Sequence, residues 1–69
     1  MSKYTIQSPQ GEQVAIVSSI KAAHKAVEDY FQGGIKQSLK QTQESMRVLG
    51  SAHLTLRMDD SIRCYIKCL

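Results

Sequence analysis

The C-terminal part of the chain carries basic residues around an aromatic one, a combination that can bind anions. Arg57, Arg63 and Lys67 supply positive charge, Tyr65 stands between the last two, and His53 lies upstream. Basic groups bind phosphates or carboxylates, and an aromatic ring between them can stack on a base, as in sheets that bind single-stranded nucleic acid. The same residue types are common on solvated sheet surfaces. These five residues are therefore candidates for a binding site, with plain solvation as the alternative.

Four lysines in the middle of the chain form a second basic group. Lys21 and Lys25 are one helical turn apart, and Lys36 and Lys40 follow with the same spacing. Such lysines usually keep a helix soluble and do nothing more. They would join the candidate site if folding placed them on the same side of the molecule as the arginines.

The chain contains two cysteines and two histidines, the residue types that most often ligate zinc. Structural zinc sites hold cysteine pairs on tight turns, whereas Cys64 and Cys68 lie in an apparent strand. Extended backbone separates their Cα atoms by roughly 13 Å, about twice the reach of a disulfide. We therefore expect no metal and no disulfide, and interpret both cysteines as small core residues of a protein in a reducing compartment.

The sequence shows no signature of catalysis. No nucleophile appears in a known local motif, and Gly33-Gly34 lacks the further glycines and the lysine of a phosphate-binding loop. Asp59-Asp60 sits where a turn favours aspartate. We expect a protein that is not an enzyme and needs no cofactor.

Size and composition indicate one small, basic domain. The chain has 69 residues with 42% hydrophobic and 22% charged residues and a net charge of +3, so it forms one modest core over residues 1–69. No apolar run is long enough to span a membrane, and no secretory signal is visible at the N-terminus. These features predict a cytoplasmic protein without a membrane partner.

The first predicted element is a hairpin around Pro9-Gln10-Gly11. Tyr4, Ile6, Val14 and Ile16 recur with period two on either side of this turn. A three-residue loop pairs Ile6 with Val14 and Tyr4 with Ile16, and places all four on the core face.

Helical spacing follows the first hairpin. A helix is predicted over 19–32, capped by Ser18 or Ser19 and ended by Gly33-Gly34. A shorter second helix is predicted over roughly 35–46, although Met46 and Val48 could instead begin a strand. The apolar stripes of the two helices comprise Ile20, Ala23, Val27, Tyr30, Phe31, Ile35, Leu39, Thr42, Met46 and Leu49.

A second hairpin is predicted at the C-terminus, with Asp59-Asp60-Ser61 as its loop. The residues expected to face the helices are Ala52, Leu54, Leu56, Met58, Ile62, Cys64, Ile66 and Cys68. Matching apolar residues across the strands pairs Met58 with Ile62, Leu56 with Cys64, and Leu54 with Ile66. On the outward face, the same register pairs Arg57 with Arg63, Thr55 with Tyr65, and His53 with Lys67.

Together these elements predict an α+β fold. A small four-stranded antiparallel sheet of two hairpins should carry one or two helices on one face, in the order ββ-α(α)-ββ. The order of the strands within the sheet does not follow from the pattern.

Three roles are consistent with this fold. The leading hypothesis is a protein-binding inhibitor or adaptor whose basic surface meets an acidic protein or a protein–nucleic-acid complex. As a compact basic sheet with a helix, the chain resembles in size and layout small phage or mobile-element products that block host defence complexes, anti-CRISPR proteins included. The alternatives are direct nucleic-acid binding through both basic groups, and a homodimer formed through an edge strand.

Overall fold

The computed structural model describes residues 3–69 and confirms the predicted α+β fold with the order ββααββ. The sheet is antiparallel, and two helices pack on one of its faces. The elements are β1 (Tyr4–Gln7), β2 (Gln13–Val17), α1 (Ile20–Tyr30), α2 (Leu39–Leu49), β3 (Ser51–Leu56) and β4 (Asp59–Cys68).

The first and last strands lie in the middle of the sheet. The strand order is β2-β1-β4-β3, so each hairpin contributes one central and one outer strand. Ile6 in β1 is opposite Ile66 in β4, and the Leu69 N–H donates to Lys3 O at 2.8 Å, which extends this pairing. Contacts between β1 and β4 therefore join the two hairpins into one sheet.

The hydrophobic core lies between the sheet and the helices. α1 packs over β1 and β2, while α2 packs over β3 and against α1. The alternation of strand side chains supplies one apolar face, and the helices bring their own apolar stripes to it. The buried core residues are Ile6, Ala23, Val27, Ile35, Met46, Ala52, Leu54, Cys64 and Ile66.

The predicted register of the first hairpin is wrong by one residue. Ile6 is opposite Ala15 instead of Val14, and Tyr4 is opposite Val17 instead of Ile16. The predicted three-residue loop Pro9-Gln10-Gly11 is present, because Ser8 N–H donates to Glu12 O at 2.7 Å and Gln7 lies opposite Gln13 in the predicted register. The shift arises beyond the loop, where Val14 is an extra residue that forms a bulge in β2.

Because strand side chains alternate, this shift by one residue exchanges the two faces of β2. Ala15 and Val17 pack against the core, whereas Val14 and Ile16 are 41% and 50% exposed. The left-handed conformation predicted for Gly11 is present, with φ +90°.

The predicted register of the second hairpin is wrong by two residues. Leu54 is opposite Cys64, and Ala52 is opposite Ile66. The chain turns at Arg57-Met58, and Asp59 then accepts hydrogen bonds from the Ser61 N–H and hydroxyl, which bends β4 where a loop was expected. A shift by two preserves the faces, so most of the predicted inward residues are correct.

Met58 and Cys68 are exceptions to the predicted inward set. Met58 lies in the turn and is 92% exposed. Cys68 lies at the end of β4 and is exposed, whereas Cys64 is buried, and both are free thiols. The prediction of two core cysteines is therefore correct for Cys64 and wrong for Cys68.

The first helix begins where the sequence indicated. Ser19 is its N-cap, and its hydroxyl accepts from the Ala22 N–H at 3.0 Å. The helix ends at Tyr30, two residues earlier than predicted, and Gln32 and Gly33 follow with positive φ. Tyr30 is 44% exposed, so it lies outside the core stripe.

The second helix begins and ends later than predicted. Ser38 and Gln41 form a capping box at its start, and Gly50 ends it with φ +73°. Ile35 precedes the helix and is buried as a bridge partner of Leu56, while Leu49 is 73% exposed. The residues of the alternative strand, Met46 and Val48, are helical.

None of the helices within residues 3–69 has the length and apolar character needed to cross a membrane.

Candidate functional site

The face of the sheet opposite the helices remains uncovered and contains most of the predicted C-terminal binding residues. We call this surface the open face. Its outward strand positions are held by Thr5, Gln7, Val14, Ile16, Ser51, His53, Thr55, Arg63, Tyr65 and Lys67.

Tyr65 occupies the middle of the open face. It lies opposite Gln7 of β1 on one side and opposite His53 of β3 on the other. Its ring centroid is 6.5 Å from that of His53, with the ring planes tilted by 57°. Tyr65 is 38% exposed, so it offers apolar ring surface and a hydroxyl group to a ligand.

Two cations flank Tyr65 along β4. Arg63 and Lys67 each lie two residues away, on the same face and roughly 13 Å apart along the backbone. Lys67 is exposed and lies opposite Thr5 and Ser51, while Arg63 is half-buried opposite Thr55. The predicted pairs Arg57–Arg63, Thr55–Tyr65 and His53–Lys67 are therefore wrong, although Arg63, Tyr65, His53 and Lys67 do share one face.

The net charge of the protein resides on the open face. Lys3 is two residues before Thr5 in the extended β1–β4 pairing, and with Arg63 and Lys67 it supplies three positive charges. None of the ten outward residues that define the open face is an aspartate or glutamate. The six remaining Lys and Arg residues equal the six carboxylates in number, so the rest of the chain is close to neutral.

Val14 and Ile16 add an apolar strip at the β2 side of the open face. Sequence reasoning missed them because the predicted register placed them in the core. Ile16 lies opposite Thr5, so the strip is one strand removed from the cations of β4. The site is consequently basic at one side and aliphatic at the other, with Tyr65 between.

Arg57 and Lys36 lie at the outer edge of β3. Arg57 Nη2 donates to Ile35 O at 3.3 Å, and Lys36 forms an ion pair with Asp60. Gln37 covers the same edge, because its amide accepts from the Thr55 N–H at 2.7 Å and donates to the Thr55 hydroxyl at 3.0 Å. These residues shape the rim of the open face. Lys36 is ion-paired with Asp60, whereas the hydrogen bond to Ile35 O uses one of the five N–H donors of Arg57.

The other lysines of the second basic group lie away from the open face. Lys21 and Lys25 belong to α1 and Lys40 to α2, and all three are exposed in the helical layer that covers the opposite side of the sheet. Lys25 is also 3.6 Å from Asp29. The structure thus divides the predicted cations into two separate surfaces.

The cysteines, histidines and carboxylates are not clustered in the part of the chain that the structure describes. Within residues 3–69, no three His, Cys, Asp or Glu side chains are grouped so that they could hold a metal ion. Burial raises the pKa of the Cys64 thiol to about 11, which keeps it protonated and weakly nucleophilic at neutral pH. Hydrogen bonds from Ser61 lower the pKa of Asp59, so this carboxylate in the bent part of β4 is ionised at neutral pH.

Comparisons with protein-family models, with curated proteins and with solved structures found no match.

Proposed function

We propose that the protein is a non-enzymatic binding protein whose open face docks onto an acidic surface of another protein, as an inhibitor or adaptor. The observation that carries this proposal is the concentration of the net positive charge on one uncovered face of the sheet. Complementary potentials of this kind speed association and select partners of opposite charge.

The composition of the open face favours a protein partner. Tyr65, Val14 and Ile16 are exposed at levels between 38% and 50%, and they would be desolvated against apolar groups of the partner. Arg63 and Lys67 would pair with its carboxylates at the rim. Interfaces commonly combine an apolar centre with a polar rim in this way.

The dimensions of the molecule allow one face to carry the interface. A standard interface buries about 800 Å² per partner, and the accessible surface here is 4541 Å². The open face would thus supply roughly a sixth of the total surface. A protein–nucleic-acid complex also fits this chemistry, because the phosphates of the bound nucleic acid add negative charge beside the protein surface.

We place this function in the cytoplasm. Both cysteines are free, and the exposed Cys68 would be prone to oxidation in a secreted protein.

Direct nucleic-acid binding is the second candidate, favoured by the pairing of Tyr65 with His53. A base could stack on the Tyr65 ring while Arg63 and Lys67 contact the phosphates on either side. Binding would then weaken steeply as salt rises from about 50 to about 200 mM, because several counterions are released. Fluorescence anisotropy with a labelled single-stranded oligonucleotide measures this slope.

Affinity capture from a bacterial lysate, with and without nuclease, separates the two candidates. The proposal predicts a protein that stays bound after nuclease treatment and is lost when the bait carries Tyr65→Ala. Tyr30→Ala is the matched control, because Tyr30 is a similarly exposed tyrosine on α1. Loss of every captured protein after nuclease would contradict the proposal and favour nucleic acid.

A further inference from the structure

The two outer edges of the sheet differ in how they are protected. The β3 edge is covered where Lys36 N–H donates to Thr55 O at 3.1 Å and Arg57 N–H donates to Gly34 O at 2.7 Å. Gln37 adds its side-chain bonds to Thr55. The β2 edge receives no backbone hydrogen bond from outside its hairpin within residues 3–69.

The residues of β2 provide little of the usual protection of an edge strand. Natural edges are blocked by lysines, prolines, bulges or covering segments, since unpaired N–H and C=O groups otherwise pair with another strand. The sequence of β2 is Gln-Val-Ala-Ile-Val, with no charge and no proline, and beyond its bulge at Val14 the residues Ala15 to Val17 pair regularly with β1. Three of its five residues are β-branched and suited to a strand.

We propose that β2 pairs in antiparallel fashion with β2 of a second copy of this chain, which would form a symmetric dimer with a continuous eight-stranded sheet. This interaction goes beyond the binding function proposed above. It rests on the free edge of β2, not on the cations of β4, and shares only Val14 and Ile16 with the open face.

A second copy fits this edge because the strand is self-complementary. In a register centred on Ala15, Val14 of each copy lies opposite Ile16 of the other on the open face. The exposed aliphatic side chains then cover one another across the two-fold axis. The strand carries no charge, so identical strands meet without repulsion along the seam.

The charges that flank β2 support the same orientation. Glu12 directly precedes the strand, and Lys21 follows it in the first turn of α1. In the register centred on Ala15, Glu12 of one copy is level with Ser18 of the other, which directly precedes the Ser19 N-cap of α1. Antiparallel pairing thus sets a carboxylate beside the positive end of a helix at both ends of the seam, whereas parallel pairing would set Glu12 beside Glu12.

The dimer should be weak and concentration-dependent. Five residues per strand bury less than the roughly 800 Å² per partner of a standard interface, which places the complex among the smaller, transient class. We therefore expect dissociation in the micromolar range.

Sedimentation velocity of the full chain from micromolar to near-millimolar concentration tests this proposal. The wild-type protein should dimerise, and Ile16→Lys should raise the dissociation constant by at least about tenfold, because it places an ammonium group on each side of the seam. Val14→Lys should have the same effect, and it carries the test if Ile16→Lys does not fold by circular dichroism.

Val48→Lys is the matched control, since Val48 is an exposed β-branched residue on α2. It should leave the dissociation constant unchanged. A wild-type protein that stays monomeric at the highest concentration would overturn the proposal. A dimer equally stable in Ile16→Lys and Val14→Lys would overturn it too.

Discussion

At the scale of single residues, a buried histidine joins the two helices. His24 Nδ1 lies 3.0 Å from the Thr42 hydroxyl, which itself donates to Ser38 O at 3.1 Å. A hydroxyl that donates to Ser38 O can accept from the N–H of His24 Nδ1, so Thr42 can bind both partners at once. The sequence placed Thr42 in the apolar stripe of the second helix, but no local pattern showed that its hydroxyl would satisfy His24 of α1.

We expect Thr42→Val to destabilise the fold by about 1 to 3 kcal/mol, because the shape is kept while the His24 N–H loses its acceptor. The change is large for a chain of this size, whose free energy of unfolding should be about 3 to 10 kcal/mol. Urea unfolding followed by circular dichroism measures it. Thr42→Ser retains the hydroxyl and serves as the control, and equal losses in both variants would show that the methyl group matters instead.

The buried thiol of Cys64 predicts a loss of stability in alkali. Its pKa rises from 9.0 to about 11 on folding, so this contribution is complete at neutral pH. Between these values the unfolded chain releases the proton while the folded chain keeps it, and stability falls by up to about 1.4 kcal/mol per pH unit.

Urea midpoints at about pH 8.5 and about pH 10.5 test this linkage. Cys64→Ala should reduce the drop between the two conditions, although its stability at neutral pH is lower. Cys68→Ala is the control and should keep the full drop, because Cys68 is exposed. An unchanged drop in Cys64→Ala would assign the alkaline loss to other groups.

At the scale of elements, caps and turns decided which sequence predictions were correct. Apolar periodicity, the cap at Ser18 or Ser19 and the stop at Gly33-Gly34 indicate helices, and alternation indicates four strands, as observed. Both strand registers were mispredicted because the pairing is irregular, at a bulge beside Val14 in the first hairpin and between Thr55 and Leu56 in the second. A rule that matches apolar residues across a turn assumes regular pairing and cannot predict such a bulge.

Of the two serines that could begin the first helix, only one should affect stability. Ser19→Ala should cost about 0.5 to 2 kcal/mol, because it removes the acceptor for the Ala22 N–H. Ser18→Ala is the adjacent control and should change the free energy of unfolding by less than about 0.5 kcal/mol. Thermal or urea unfolding of both variants measures the two effects. A larger loss of stability in Ser18→Ala than in Ser19→Ala would contradict this assignment.

At the scale of the whole molecule, the strand order creates the candidate site. Because β1 and β4 are central neighbours, Lys3 joins Lys67 and Arg63 on one face, and the lysines of α1 and α2 stay on the other. The sequence predicted the outward set His53, Arg63, Tyr65 and Lys67 by alternation alone. It could not predict Lys3, Val14 or Ile16 in the site, because their placement depends on strand order and register.

The central claim is that the open face, and not the overall charge, binds the partner. The most direct measurement is affinity capture after nuclease treatment with two double variants as baits. One variant combines Arg63→Glu with Lys67→Glu, and the other combines Lys21→Glu with Lys40→Glu. Both pairs change the net charge equally, from opposite faces of the molecule. We expect the first pair to abolish capture of the partner and the second to retain it. Equal loss in both pairs, or loss in the second alone, would contradict the account.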